Sequence, residues 1–152
     1  RTEPLRRWGS GEVCITALGL YGSESGMSGK LEHLESVMIQ FEFETFRIPA
    51  IGMVTVAFSF RNAMSMDIVA YSTFESKEFI PIGYVGQKNR VQFCFPNILV
   101  PGDYMLVLAI EAFSAETRDY LDYIENALLV KVVSLRRHYG FAEPSIVFSN
   151  IQ

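Results

Sequence analysis

Residues 36–46, SVMIQFEFETF, place Val37, Ile39, Phe41 and Phe43 at every second position, with Met38, Gln40, Glu42 and Glu44 between them. A period of two sends four large apolar side chains to one face, whereas a helix would scatter them around its circumference. The segment is therefore a half-buried strand, and something else in the chain must supply a second apolar face. The same alternation recurs at 53–60, where Val54, Val56, Phe58 and Phe60 oppose Thr55, Ala57 and Ser59, and at 90–96, where Val91, Phe93 and Phe95 point inward. Residues 12–21 and 67–74 read as further strands, and 103–112 as a central strand apolar on both faces. Residues 123–134 are too β-branched at their end for a helix, and 113–122 is the one segment that suits a helical turn. Pro101-Gly102 suits a type II turn. About seven to nine strands with turn residues between them, and no helices for crossovers, predict an all-β fold. The expected architecture is a two-sheet antiparallel β-sandwich, immunoglobulin-like or jelly-roll. The antibody pattern Cys…Trp…Cys is missing, because Trp8 precedes both cysteines.

The length of 152 residues bounds this to one domain with an ample core. A net charge of −4 argues against nucleic acid as a partner. No run approaches a membrane span, and Arg1, Arg6 and Arg7 are not followed by the apolar core of a signal peptide. Cys14 and Cys94 sit within strands among large apolar neighbours, and buried free thiols fit a cytosolic chain better than a bridge does. GMSGKL at 26–31 imitates the end of a phosphate-binding loop, but Glu24 and Leu31 occupy positions that need Gly and Ser or Thr. His33 and His138 fall in a loop and a connector without a partner at metal-ligand spacing, so both are expected to be solvent-exposed. No metal, cofactor or catalytic residue is called for, and the chain is not expected to be an enzyme. Glu42 and Glu44, same-face neighbours about 7 Å apart, lie within reach of an inverting glycosidase dyad. An ordinary solvated face explains them more simply.

Three segments together carry a family resemblance: RWGSGEVCITALGLY at 7–21, LVPGDYMLVLAIEA at 99–112 and DYLDYIENALLVKVVS at 119–134. In order and spacing they resemble the C-terminal carbohydrate-binding domain of the nucleotide-binding subunit of O-antigen polysaccharide ABC transporters, the Wzt C-terminal domain family. The resemblance spans roughly residues 8–134 and is weaker beyond. It implies that residues 1–11 are a linker from an ATPase domain ahead of residue 1, and that 12–152 are one β-sandwich. It implies a cytoplasmic protein, peripheral to the inner membrane through the exporter's transmembrane subunit. Its partner would be the capped non-reducing end of a lipid-linked O-polysaccharide, whose recognition couples chain completion to export. It also implies a homodimer in which a C-terminal strand, here 145–151, is exchanged; a tail folded back on its own sheet is the other reading.

A sugar offers C–H faces and hydroxyl pairs, so a site needs an aromatic platform beside planar polar groups. The outward residues Gln40, Glu42, Glu44, Thr55, Ser59, Arg61, Arg90 and Gln92 form the expected polar strip. The expected rings are Tyr71 and Tyr84, with Phe74 and Tyr104 as lesser candidates and Tyr104 leaning toward the core. Arg61 and Arg90 would meet an anionic cap. Two other functions stay open: a dimerisation or docking domain of the ATPase subunit without glycan contact, and a glycoside-processing enzyme dependent on Glu42.

Overall fold

The structure, a computed structural model, describes residues 4–114 and 116–151. Residues 1–3 of the expected linker, Ala115 of the expected helical turn, and Gln152 lie outside the described residues. Ten strands follow one another: β1 (Arg7–Trp8), β2 (Val13–Gly22), β3 (Lys30–Glu32), β4 (Ser36–Thr45), β5 (Met53–Arg61), β6 (Asp67–Ser72), β7 (Ile80–Pro81), β8 (Lys88–Pro96), β9 (Gly102–Phe113) and β10 (Arg118–Val133). The large sheet runs β1-β10-β9-β5-β6, with β3 added to β10 and β7 to β5; the small sheet is β2-β4-β8. Every pairing is antiparallel except that of β3 with β10. The chain is thus the all-β, two-sheet sandwich its alternation predicts. No helix of the described residues is long and apolar enough to cross a membrane.

The core is built from the inward faces of both sheets. Val37, Ile39, Phe41 and Phe43 of β4 are buried, as are Val54, Val56, Phe58 and Phe60 of β5 and Leu106, Leu108 and Ile110 of β9. Across the gap, Phe58 stacks on Phe95 with centroids 5.2 Å apart and meets Phe93 at 4.8 Å. Burying one such ring contributes about 1.5–3 kcal/mol, which is why a strict period of two suffices to set strand orientation.

Three local expectations are corrected. The helical turn over 113–122 does not form: Phe113 ends β9, β10 begins at Arg118, and a short loop closes through Ser114, whose amide donates to the Thr117 carbonyl at 2.9 Å. Pairing with a central strand outweighs the weak helical preference of a short segment. The Pro101-Gly102 step is not a type II turn, since Gly102 has φ 157°, close to extended, and leads straight into β9. Cys14 and Cys94 are free thiols but not buried: Cys14 is half-buried and Cys94 exposed, both on the outward face of the small sheet. Residues 145–151 make no ladder with the sheets of their own chain.

The segment expected as a linker is pinned to the sandwich from Pro4 onward. Arg7 and Trp8 pair with Ile124 and Tyr123, and Asn126 Nδ2 donates to the Pro4 carbonyl at 3.0 Å. Gly9 has φ 136°, and a Cβ there would sit 2.6 Å from the Leu121 carbonyl oxygen, so only glycine allows this close approach.

Asp122 clamps the two sheets together. Its carboxylate, nearly fully buried, accepts from Arg7 Nε at 2.8 Å, Arg7 Nη2 at 2.6 Å and the Ile15 amide of β2 at 2.7 Å. Arg7 Nη2 also donates to the Ile15 carbonyl at 2.5 Å. Hydrogen bonds to a charged group are each worth about 1.5–3 kcal/mol. Asp122→Ala should therefore destabilise the domain by about 2 kcal/mol or more, read as a lower urea midpoint with unchanged slope; a midpoint equal to that of the parent would contradict the clamp.

Glu35 plays the matching part at the other end. Its buried carboxylate accepts from the Glu24 amide at 2.9 Å, the Ser25 amide at 3.1 Å, the Ser25 hydroxyl and the Glu32 amide. Burial by itself raises the Glu35 carboxyl, but these hydrogen bonds outweigh it and hold the group below its ordinary range. A depressed carboxylate stabilises the fold above its unfolded-chain pKa, and that stabilisation is lost as pH falls through the folded-state value. Stability should accordingly fall less steeply toward acid in Glu35→Gln than in the parent chain; parallel denaturation curves across that range would refute the assignment.

Candidate functional site

On the outward face of the large sheet, β6, β5, β9 and β10 form the floor of a groove of about 310 Å³. Its chemistry follows from a bulge in β10. Tyr120 pairs with Glu111 and Asp122 with Ile110, leaving Leu121 as an extra residue. In an uninterrupted strand, residues three apart face opposite ways. The extra residue turns Leu121 and Asp122 inward together and brings Tyr120 and Tyr123 to the same outer face. Trp8 of β1 stacks on Tyr123, with centroids 4.6 Å apart and planes 19° from parallel, and meets Tyr120 edge-on at 5.1 Å. The result is a platform of three rings, partly exposed, at one side of the groove.

Two guanidinium groups flank these rings. Arg61 donates from Nε to Asp67 at 2.8 Å and from Nη2 to the Tyr123 hydroxyl at 2.6 Å. Arg118 lies over the Phe113 ring at 4.8 Å and donates to the Tyr120 hydroxyl at 3.1 Å. Below Arg118, Glu111 is buried, with Oε2 3.4 Å from Arg118 Nε and without a hydrogen-bond partner. Burial pushes the Glu111 carboxyl up, and Arg118 opposes it. Burial likewise raises the Tyr123 phenol, against the pull of Arg61. Rings, two cations and the carboxylates of Asp67, Glu75 and Glu111 make a surface able to hold C–H faces and paired hydroxyls at once.

The expected polar strip is divided by the fold. Ser59 and Arg61 line the groove, while the expected strip member Thr55 is buried beside Glu111. Tyr71 borders the groove, but it is in register with Phe58 and its ring meets Phe93 at 6.2 Å, so it covers the open edge of the core. Gln40, Glu42, Glu44, Arg90 and Gln92 lie on the opposite sheet, where Gln40 pairs with Gln92, Glu42 with Arg90 and Glu44 with Lys88. Glu42 and Glu44 thus each face a cation across the ladder. Tyr84 is 63% exposed in the β7–β8 loop and does not line the groove. Tyr104 is buried in the core, its hydroxyl donating to the Val100 carbonyl at 2.6 Å. Phe74 stacks on Phe113 at 4.0 Å. Asp67, Glu111 and Arg118 join the groove from β6, β9 and the start of β10, while Trp8, Tyr120 and Tyr123 share one face only through the β10 bulge and the added strand β1, which no strict alternation reveals.

The expectation of two exposed loop histidines is overturned. The side chains of His33 and His138 are only 4% and 3% exposed, and their rings meet edge-to-face at 4.4 Å beside Glu143.

The comparisons with known proteins agree with this architecture. No curated protein matches the chain by sequence. A crystal structure described as that of the C-terminal domain of wzt superposes with a TM-score of 0.85 at 16% identity, covering 97% of this chain and 89% of that one. The likeness to that structure is one of fold. The family model described as the Wzt C-terminal domain matches residues 5–144, the span from the first pinned residues through Glu143 and Pro144. The chain therefore belongs to the Wzt C-terminal domain family, the non-catalytic domains of O-antigen ABC transporters.

Proposed function

We propose that the groove on the outer face of the large sheet binds the non-reducing terminus of a lipid-linked O-polysaccharide, capped or otherwise finished, and so couples chain completion to export. The observation that carries this reading is the ring platform of Trp8, Tyr120 and Tyr123 beside a buried carboxylate, Glu111, whose Oε2 has no hydrogen-bond partner. Arg118 Nε, 3.4 Å away, pairs with this oxygen without a hydrogen bond of good geometry, and a sugar hydroxyl donating to it would supply the bond it lacks. The opposite face has a shallow hollow of about 120 Å³ lined by Tyr21 and Phe41 next to Gln40, Glu42 and Arg90. In this reading the domain works at the cytoplasmic side of the inner membrane, joined to an ATPase domain and through it to the transmembrane subunit.

Titration of the purified domain with its cognate polysaccharide distinguishes the faces. Tyr123→Ala and Arg118→Ala should each weaken binding at least about tenfold, the equivalent of about 1.4 kcal/mol. Arg90→Ala and Gln92→Ala should change it less than about twofold. Loss of binding in the second pair with retention in the first would move the site to the small sheet.

One observation favours self-association beside glycan binding. The tail beyond Pro144 presents Ile146, Val147, Phe148 and Ile151 almost fully to solvent, from 73% to 90%. Four large apolar side chains in one short segment are expected to find a partner, and strand exchange with a second copy supplies one. The 152-residue chain should behave as a dimer in light scattering and a chain ending at Pro144 as a monomer; an unchanged dimer after truncation would remove the tail from the interface.

A further inference from the structure

Three side chains distant in sequence converge where the chain leaves β10. His33 lies in the turn between β3 and β4, His138 in the connector after β10, and Glu143 five residues further on. One donor atom from each fits within a radius that leaves all three within 4.8 Å of one another. His33 is held by a hydrogen bond from Nδ1–H to the Leu99 carbonyl at 2.8 Å. A carbonyl only accepts, so Nδ1 carries a proton, and Nε2 is the ring atom turned inward toward Glu143. That Nε2 is buried and has no hydrogen-bond partner; its neighbour is Glu143 Oε2 at 3.5 Å, a second acceptor. His138 Nδ1 lies 3.2 Å from Glu143 Oε1, and its Nε2 is hydrogen-bonded to the Ser134 hydroxyl at 2.8 Å. Two buried nitrogens facing one carboxylate need a cation between them, either a proton on an imidazole or a metal ion bridging all three groups.

We propose that His33, His138 and Glu143 form a binding site for a divalent transition-metal ion, Zn²⁺ first among them. Two imidazoles and a carboxylate are a three-ligand set that Zn²⁺ accepts, with a fourth position for water. In a tetrahedron with bonds of about 2.1 Å, neighbouring ligand atoms lie about 3.4 Å apart. The histidine nitrogens lie 3.5 Å and 3.2 Å from the two different oxygens of Glu143, and the three donor atoms fall within 4.8 Å of one another, so a small contraction of the side chains brings the set to that spacing. The outer partners suit a metal as well. The Leu99 carbonyl fixes the His33 tautomer, the Ser134 hydroxyl receives the His138 Nε2–H once Nδ1 is a ligand, and Arg136, paired with the Glu143 carboxylate, holds one oxygen while the other binds.

The surroundings are rigid and reachable. The Glu143 amide donates to the Ile98 carbonyl at 2.7 Å, Ala142 bridges to Leu99, and buried Asn97 ties the same strip to Glu32 and Leu34. A cleft of about 360 Å³ lined by Glu32, His33, Val133, Ser134, Leu135 and Arg136 adjoins the cluster and gives an ion access. Bound there, the ion staples the root of the C-terminal tail to the turn that opens β4.

The test is a Zn²⁺ titration of the chelator-stripped domain by calorimetry, with a thermal melt alongside. One ion per chain should bind, and a hundredfold excess over Kd should raise the melting temperature by about 5 °C or more. His33→Gln and His138→Gln should lose at least about 100-fold in affinity. Glu143→Gln, at a partly exposed position that keeps its size, is the variant least able to disturb folding and should lose at least about tenfold. Co²⁺ should give the intense visible absorption of a four-coordinate site in the parent chain and not in the histidine variants. Absence of binding in the parent chain, meaning that the cluster holds as an ion pair alone, would overturn the proposal, as would equal Zn²⁺ affinity in Glu143→Gln and the parent. Polysaccharide binding by the groove is measured on the same metal-free and metal-loaded samples, so failure of the metal site leaves the glycan reading separately testable.

Discussion

One extra residue in β10 organises this domain. Without the bulge at Leu121, Asp122 would pass to solvent or Tyr120 and Tyr123 would part to opposite faces. With it, an inward carboxylate grips Arg7 and the backbone of β2, while two phenols stand side by side on the outer face. The same local irregularity thus fixes the distance between the sheets and builds the ring platform of the groove. Bulges commonly sit where a strand must re-aim side chains, and this one does so toward both interior and exterior.

The two sheets divide labour unequally. The small sheet is a three-stranded ladder whose outer face sets acids opposite bases in register across neighbouring strands, as at Glu42 and Arg90. Such a face is an ordinary solvated one. The large sheet carries buried polar groups on its outer side, among them Thr55, Ser59 and Glu111, under a cover of arginine and tyrosine. Polar groups are kept at that depth at a cost in desolvation, and a surface that keeps them there is organised for something beyond its own stability.

What the sequence made legible was whatever depends on short range. Phe41, Phe43, Phe58 and Phe60 declare their faces within a few residues, and the central position of β9 follows from its apolar character on both sides. Arg61 and Ser59 were legible as outward residues of a strand, but the ladder partners that separate them from Arg90 and Gln92 were not. Tyr120 and Tyr123 were hidden because a bulge breaks the very period used to read a strand. His33 and His138 were hidden because their meeting depends on β3 pairing in parallel with the end of β10, a contact between segments with the whole sandwich between them in sequence. Spacing rules for metal ligands address one helix or one loop and are silent about such a closure.

Trp8 belongs to the segment by which the chain enters the sandwich, yet its indole is part of the aromatic platform. That segment is an edge strand of two residues, held by a few hydrogen bonds and by Gly9 pressed against the β10 backbone. Tension applied along the backbone from the side of Pro4 would reach the indole before it reached the core. Peeling so short an edge disturbs few ladder bonds, but it also draws Arg7 away from Asp122, so the stacked tyrosine would lose its lid as the clamp between the sheets opened. The threshold of the domain thus backs the tyrosines that wall its groove.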